Sequence, residues 1–212
     1  LIDAHKLSVQ AISTNGQKVF ADIALKPPRR WTVYLTQHTH TDIGYTRPQT
    51  EILPDHLRFI DYAQDYFHLT DAYPDDAKFR WTCEAAWTVR EYLHRRPASQ
   101  IERFKRRVKE GRIEVTGMFV NMSEIATEAG LAATLQPIRE FKEAGIPVKL
   151  AMQNDVIGAA WCLVDYFQSC GVKYLTMGIN QTRSLLPFNM PTAFWWESPS
   201  GNRTLAFRAE HY

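Results

Sequence analysis

The segment from residue 38 to residue 42 places His38, His40 and Asp42 at every second position. In an extended backbone, residues two apart point to the same side, so these three side chains could converge on one point. Imidazole nitrogen and carboxylate oxygen are ligands that bind zinc at about 2.0–2.2 Å. Gly44 follows and lets the backbone turn without steric cost. The pattern favours a metal site over its alternative, a polar loop with two ordinary histidines.

Asp155 is a second candidate, because it follows an apolar stretch that ends in Gln153 and Asn154. The small residues 158–160 come next and suggest a helix start, so Asp155 could be an N-cap whose carboxylate accepts hydrogen bonds from free backbone amides. On local evidence the cap is the favoured interpretation. The two roles are compatible, because the same amides would keep a catalytic carboxylate ionised.

Glu84 lies between Cys83 and an apolar Ala-Ala-Trp segment, where a carboxylate is costly unless it is paired. It could orient a metal ligand, bind a sugar hydroxyl or cap the next helix, and the sequence leaves these roles open. Asn121 and Asn180 also follow predicted strands. Tyr45 is one of several aromatic residues near these positions, and flat rings of this kind suit sugar faces, although most fill cores.

These polar residues belong to a chain in which short apolar runs alternate with helical patterns, which predicts βαβ units and a parallel sheet. In such sheets, functional residues collect at the carboxyl ends of the strands. The predicted strands are 31–37, 78–83, 112–117, 148–153 and 172–178, and the predicted helices are 48–69, 85–96, 98–111, 128–145 and 158–171.

The two ends of the chain depart from this alternation. Residues 1–30 predict a β lead-in, with a hairpin around Asn15-Gly16 and a stiff linker at Pro27-Pro28, so we place the main domain at 31–212. Residues 194–198 and 203–207 predict an antiparallel hairpin at the other end. The length allows a flavodoxin-like open sheet but is too short for an eight-unit barrel of about 250 residues.

Composition excludes several classes of function. The chain of 212 residues carries 25 Lys and Arg against 23 Asp and Glu, a net charge of +2, which disfavours nucleic acid as a partner. No apolar stretch approaches the roughly 20 residues of a membrane-spanning helix, so we expect no membrane span. The cellular compartment is not predicted.

The opening motif, which continues to Tyr45, resembles the H-x-H-x-D-x-G-[WY] signature of family 38 glycoside hydrolases, the α-mannosidases. The likeness covers roughly residues 31–210. Further segments agree in order: the Glu84 segment, Gly111–Gly117, Asp155–Gly158 and Phe194–Glu197.

This resemblance implies an α/β fold that forms part of a (β/α)7 barrel and a zinc ion bound by His40, Asp42 and Asp155. Asp155 would also be the catalytic nucleophile in cleavage of terminal α-mannosides with retention of configuration, which requires two carboxyl groups about 5–5.5 Å apart. The remaining candidates would lie beside the metal or contact the substrate: His38, Tyr45, Glu84, Asn121 and Asn180.

The family's fourth metal ligand, a His, and its acid/base Asp lie well downstream of the nucleophile. We therefore expect both beyond Tyr212, in the remainder of a larger enzyme. Two alternatives stay open: another metal-dependent barrel hydrolase, such as an amidohydrolase or sugar deacetylase, and a non-catalytic carbohydrate-binding relative. An amidohydrolase is disfavoured because the chain shows neither a bridging Lys near Asp155 nor a later His pair.

Overall fold

The computed structural model describes residues 5–25, 28–122, 126–185 and 191–210. The chain divides into two compact units, Leu1–Leu35 and Thr36–Tyr212. The first unit contains an antiparallel hairpin of strands β1 (His5–Ile12) and β2 (Lys18–Leu25). Gly16 takes a φ of 81° in the turn between them, which glycine adopts without steric cost. The predicted N-terminal hairpin is confirmed.

In the second unit, the described residues form one seven-stranded sheet of order β3-β4-β5-β6-β7-β9-β8. Neighbouring strands are parallel except β8 and β9, which form an antiparallel hairpin. The predicted parallel sheet and terminal hairpin are confirmed, and β9 also pairs with β7 as a sixth parallel strand. The bounds are β3 Gln37–His38, β4 Trp81–Cys83, β5 Ile113–Gly117, β6 Leu150–Asn154, β7 Tyr174–Gly178, β8 Ala193–Glu197 and β9 Arg203–Arg208.

The parallel strands follow one another in chain order. A flavodoxin-like sheet would reverse its strand order at a switch point. From β3 to β7 no such reversal occurs among the described residues. The order therefore differs from that of a flavodoxin-like sheet.

Six α-helices lie in the described part of the second unit, and none of them is long and apolar enough to cross a membrane. Pro54 lies inside the first helix and does not end it. The bounds are α1 Gln49–Leu69, α2 Ala86–Arg95, α3 Ala98–Lys109, α4 Glu128–Ala133, α5 Gln136–Glu143 and α6 Leu163–Cys170, with a 3-10 turn at Asp75–Ala77.

The hydrophobic core lies on one face of the sheet. Val115, Ala151 and Leu175 point to this face and are buried together with Phe104 of α3 and Phe141 of α5. Since successive strand residues point to opposite faces, the neighbours of these strand residues point away from the core. On that second face the structure exposes a row of aromatic side chains: Tyr174, Trp195 and Phe207, which are 46–64% exposed.

The first predicted strand, 31–37, is largely wrong. Only Gln37 and His38 form a strand, which pairs with Trp81 and Thr82 of β4, whereas residues 31–36 do not form a strand. Val33 and Tyr34, which were expected in a buried strand, are 74% and 87% exposed.

Two predicted helices differ in extent. Residues 128–145 form two helices, α4 and α5, with the break just before Pro137. Proline lacks the amide that would continue the first helix and its ring clashes with a preceding carbonyl, so the chain restarts with Pro137 in the first turn of α5. The helix expected over 158–171 begins only at Leu163, and residues 155–160 form an irregular loop.

Candidate metal centre

The carboxyl ends of four neighbouring parallel strands bring the predicted polar residues together. His40 and Asp42 follow β3, Glu84 follows β4, and Asp155 follows β6. Asn121 comes four residues after β5. Because parallel strands end at the same edge of a sheet, residues far apart in sequence meet here.

His40, Asp42 and Asp155 can each direct one ligand atom at a common point, and those atoms lie within 4.8 Å of one another. His40 Nε2 is 3.2 Å from Asp42 Oδ1 and 3.4 Å from Asp155 Oδ2. Asp155 Oδ1 is buried and has no hydrogen-bond partner among the described residues. A buried carboxylate oxygen without a partner is costly, and a cation would satisfy it. One imidazole and two carboxylates are a donor set that zinc accepts, so these residues fit the metal.

Asp155 owes its direction to an unusual backbone conformation. Its φ is +61°, in the left-handed region that Asp and Asn tolerate better than most residues. Its amide donates to the carbonyl of Gly178 at 2.7 Å, which anchors this turn to the end of β7. The N-cap interpretation of Asp155 is wrong, because the next helix starts at Leu163 and Cys162 precedes it as the cap position.

Glu84 is buried and bridges both histidines. Its Oε2 lies 2.8 Å from His38 Nδ1 and its Oε1 lies 2.8 Å from His40 Nδ1, and its side chain is fully shielded from solvent. Asn121 Nδ2 donates a further hydrogen bond to Oε1. Glu84 does not cap α2, because Ala85 occupies the cap position without a side-chain bond and the first amides of α2 donate to the carbonyls of residues 118 and 119.

These contacts set the charges of the centre. Burial alone would raise the pKa of Glu84, but the hydrogen bonds from His38 and His40 outweigh it and lower the pKa to about 2. The hydrogen bond to Glu84 raises the pKa of His40 to about 9 against the opposing effect of burial. Glu84 is therefore ionised at neutral pH, and negative charge surrounds His40.

Two further predicted site residues, Tyr45 and Asn180, have surroundings that differ from those of the cluster. Tyr45 is 81% exposed. Asn180 follows β7, and its side-chain oxygen accepts hydrogen bonds from the amide and hydroxyl of Thr182 in a local turn. Their proposed contacts with a substrate stay predictions.

Two sets of hydrogen bonds that stabilise the centre were not predicted from the sequence. The hydroxyl of buried Thr116 donates to the carbonyls of Cys83 and Glu84, which fixes the end of β4. The amide of Asn154 donates to Asn121 Oδ1 at 3.0 Å. Thr116 carries only the weak signal of a polar residue late in a strand, and a backbone amide carries none.

Parallel strands in chain order, helices packed on one face and acidic residues gathered at the carboxyl edge define the α/β class of domains that hold a site at this edge. The profile of the glycosyl hydrolases family 38 N-terminal domain matches residues 30–212. Because this match spans most of the sequence, the chain belongs to glycosyl hydrolase family 38. Among curated proteins, no significant match is found.

Solved structures share the fold. An α-mannosidase from Enterococcus faecalis V583 is similar over 82% of this chain, with 19% identity and a TM-score of 0.63, and a family 38 glycosyl hydrolase from Enterococcus faecalis over 82%, with 16% identity and a TM-score of 0.57. A 4-α-glucanotransferase from Thermococcus litoralis matches over 82%, with 10% identity and a TM-score of 0.51. The chain spans only 19%, 18% and 26% of these three proteins, respectively.

Proposed function

We propose that this chain is the N-terminal part of a zinc-dependent retaining glycoside hydrolase that cleaves terminal α-mannosides. Membership of family 38 supports a glycosidase, and the similar structure from Enterococcus faecalis V583 is an α-mannosidase, which supports the substrate class. The observation that carries the proposal is the convergence of His40, Asp42 and Asp155 at the carboxyl edge of the sheet.

His40, Asp42 and Asp155 would hold the zinc. When bound, zinc would act as a Lewis acid that binds adjacent hydroxyls of the sugar and favours the flattened ring of an oxocarbenium-like transition state. The side chains of all three residues are one-quarter to one-third exposed, so a ligand can reach the cluster from solvent.

Asp155 would act as the nucleophile. Its carboxylate would form an ester bond to the anomeric carbon while the bond from that carbon to the leaving oxygen breaks, and a carboxylic acid elsewhere would supply the proton to that oxygen. Water would then cleave the ester with the same acid, now ionised, as base. The backbone anchor of Asp155 on β7 supports this role, because a nucleophile held in place loses little entropy when it reacts.

The rest of the parent protein would complete the site. The chain spans 19% and 18% of the two similar structures from Enterococcus faecalis, which leaves ample chain for the missing elements. We place the remaining strands of the barrel, a fourth ligand His and the general acid in that remainder. The remaining strands would also cover the exposed aromatic side chains of Tyr174, Trp195 and Phe207.

The proposal is tested on the full-length protein by zinc analysis and by hydrolysis of an aryl α-mannoside. Asp155→Asn should retain the fold and lose more than about 10³-fold in kcat, the scale of losing one member of a catalytic set. Asp75→Asn makes the same chemical change at an exposed carboxylate on the opposite edge of the sheet and should leave kcat unchanged. Undiminished turnover by Asp155→Asn would remove Asp155 as nucleophile.

Labelling with a mechanism-based fluoro-mannoside distinguishes the proposed function from the alternative functions of the site. A retaining glycosidase should accumulate a covalent adduct on the peptide that contains Asp155, detected by mass spectrometry. A metal-dependent deacetylase or amidohydrolase activates water directly and would give no adduct. Mannoside binding that persists in a chelator, without turnover, would indicate a carbohydrate-binding relative.

A further inference from the structure

One carboxylate serves two imidazoles in this site, and each of its oxygens faces a different ring. Glu84 Oε1 lies 2.8 Å from His40 Nδ1, and Glu84 Oε2 lies 2.8 Å from His38 Nδ1. The glutamate side chain has no solvent exposure, so water cannot replace either contact.

This geometry fixes where the hydrogens of the two rings lie. An ionised carboxylate only accepts hydrogen bonds, so every nitrogen within hydrogen-bond distance of it must carry a hydrogen. Both Nδ1 atoms are therefore donors, and in a neutral ring the lone pair must then lie on Nε2. For His40 this is the nitrogen that lies 3.2 Å from Asp42 Oδ1 and 3.4 Å from Asp155 Oδ2.

Asn121 extends the same network to the strand that carries Asp155. Its Nδ2 donates to Glu84 Oε1, and its Oδ1 accepts from the amide of Asn154 at 3.0 Å. The carboxylate and the amide together allow only one orientation of the Asn121 side chain, with nitrogen towards Glu84 and oxygen towards β6. The network thus joins His40 to the residue directly before Asp155.

We propose that Glu84 is the positioning residue of the metal centre: it fixes His38 and His40 with their hydrogens on Nδ1 and, through Asn121, holds the ring of His40 in register with Asp155. This inference rests on the zinc centre proposed above and concerns how the chain prepares it. A carboxylate behind a ligating imidazole orients the ring and raises the basicity of the ligand nitrogen.

Glu84→Gln tests the inference because it changes hydrogen-bond polarity with almost no change of shape. The amide offers one accepting oxygen and one donating nitrogen to two rings that both need an acceptor. One imidazole must then change tautomer, rotate or lose its bond. Glu143→Gln is the matched control, since Glu143 is an exposed carboxylate on α5 and belongs to no part of this network.

Zinc affinity of the full-length protein, measured by competition with a chromophoric chelator, is the first readout. Glu84→Gln should weaken zinc binding by about 10–100-fold, the range typical of partners behind metal ligands. Glu143→Gln should bind zinc like the unaltered protein. The visible absorption of the Co²⁺-loaded protein is the second readout, because it reports ligand geometry, and it should change in Glu84→Gln alone.

Glu84→Asp keeps the charge but withdraws the carboxylate by one methylene, so it cannot bridge both rings, and it carries the test if Glu84→Gln does not fold. An unaltered zinc affinity and Co²⁺ spectrum in a folded Glu84 variant would overturn the inference. That outcome is distinct from failure of the proposed function, in which the unaltered protein itself would bind no zinc.

Discussion

The two histidines of the opening motif have different surroundings, although only one residue separates them. Both contact Glu84 through Nδ1, but only His40 directs its other ring nitrogen at Asp42 and Asp155. At the scale of single residues, we therefore propose different roles for them: His40 would be a metal ligand, and His38 would help to hold Glu84 in place.

Substitution of each histidine should separate these roles. His40→Ala should abolish stoichiometric zinc binding, because it removes the only nitrogen of the described cluster. His38→Ala removes one partner of Glu84 and should weaken zinc binding by no more than about 10–100-fold. Zinc content after dialysis, together with chelator competition, measures both. Equal loss in the two variants would contradict this assignment.

The site residues were predictable from sequence to different degrees. The alternation of His38, His40 and Asp42 indicated a metal site directly. Glu84 could not be assigned, because its partners His38 and Asn121 are 46 and 37 positions away in the chain. Asp155 resembled a cap, since small residues follow it, and nothing local shows that the helix begins only at residue 163.

At the scale of elements, a charged cluster on the opposite edge of the sheet joins α1, α3 and β5. Asp71, just after α1, accepts paired hydrogen bonds from Arg107 at 2.7 and 2.6 Å and one from Arg112 at 3.1 Å. Both arginine side chains are at most 7% exposed. Arg112 also donates to the carbonyl of Phe79, so it ties the start of β5 to the segment before β4.

Asp71→Asn should destabilise the protein by about 1–3 kcal/mol. The substitution removes the carboxylate paired with buried Arg112 and leaves Glu110 as the remaining carboxylate partner of buried Arg107, but the partial exposure of Asp71 reduces the penalty below that of a fully buried pair. Denaturant unfolding at pH 7 measures the effect. Asp75→Asn, at a carboxylate whose side chain is 83% exposed, should change stability by less than about 0.5 kcal/mol.

The stabilising effect of Asp71 should also depend on pH. The hydrogen bond from Arg107 holds the pKa of Asp71 below its usual value, which is about 3.9 in an unfolded chain. A carboxyl group with a lowered folded-state pKa stabilises the fold above the unfolded pKa and loses that contribution as the pH falls through the folded one. The stability difference between the unaltered protein and Asp71→Asn should therefore shrink below about pH 4.

Gly171 ends α6 in a left-handed backbone conformation, and its substitution tests how much this conformation requires glycine. Its φ is +80°, and an added Cβ would meet no atom within 4 Å, so any cost of a side chain comes from the backbone conformation. Gly171→Ala should destabilise by about 1 kcal/mol. Gly130→Ala, within α4, should be neutral or stabilising, because alanine favours a helix interior and its Cβ would lie 3.4 Å from Thr127 Oγ1. Thermal unfolding compares the two, and the same sign for both would contradict this view.

The elements were predictable where their own pattern determined them. Apolar residues of α1 recur at helical spacing in the sequence, so this helix was predicted from 48 to 69, and it is observed from 49 to 69. Strand β3 failed as a prediction because a strand depends on a neighbouring backbone, and β4 is only three residues long. The apolar and aromatic residues of 31–36 carry no information about that neighbour.

At the scale of the whole molecule, part of the sheet surface that faces away from the helices is exposed within the described chain. The helices pack on the face of Val115 and Leu175, and Tyr174, Trp195 and Phe207 stand on the other. An exposed apolar surface of this kind marks a contact with other protein. In the proposed full-length enzyme, the remaining strands would cover it.

Phe207→Asp therefore gives a test of the partial barrel. In the full-length protein it should destabilise by more than about 2 kcal/mol, because it would bury a charge that lacks a partner. Tyr62→Asp, at a side chain on α1 that is 51% exposed, should be tolerated within about 0.5 kcal/mol. Thermal unfolding of the full-length variants decides, and tolerance of Phe207→Asp would mean that this face stays in water.

The sequence predicted the class of fold and the terminal hairpin but not how they join. Strands alternating with helices indicated a parallel sheet, and residues 194–207 indicated a hairpin. That β9 continues the sheet beside β7 follows from hydrogen bonds between residues about 30 positions apart. Pairing at that distance leaves no periodic pattern along the chain.

The left-handed backbone at Asp155 limits which residues can replace it while the loop keeps its conformation. Asparagine shares the tolerance of aspartate for a φ near +61°, and glycine adopts it freely, whereas a β-branched residue would strain the loop. Under the proposed mechanism, Asp155→Asn would therefore suit a substrate trap, in which an intact oligosaccharide could be co-crystallised and its linkage read from electron density.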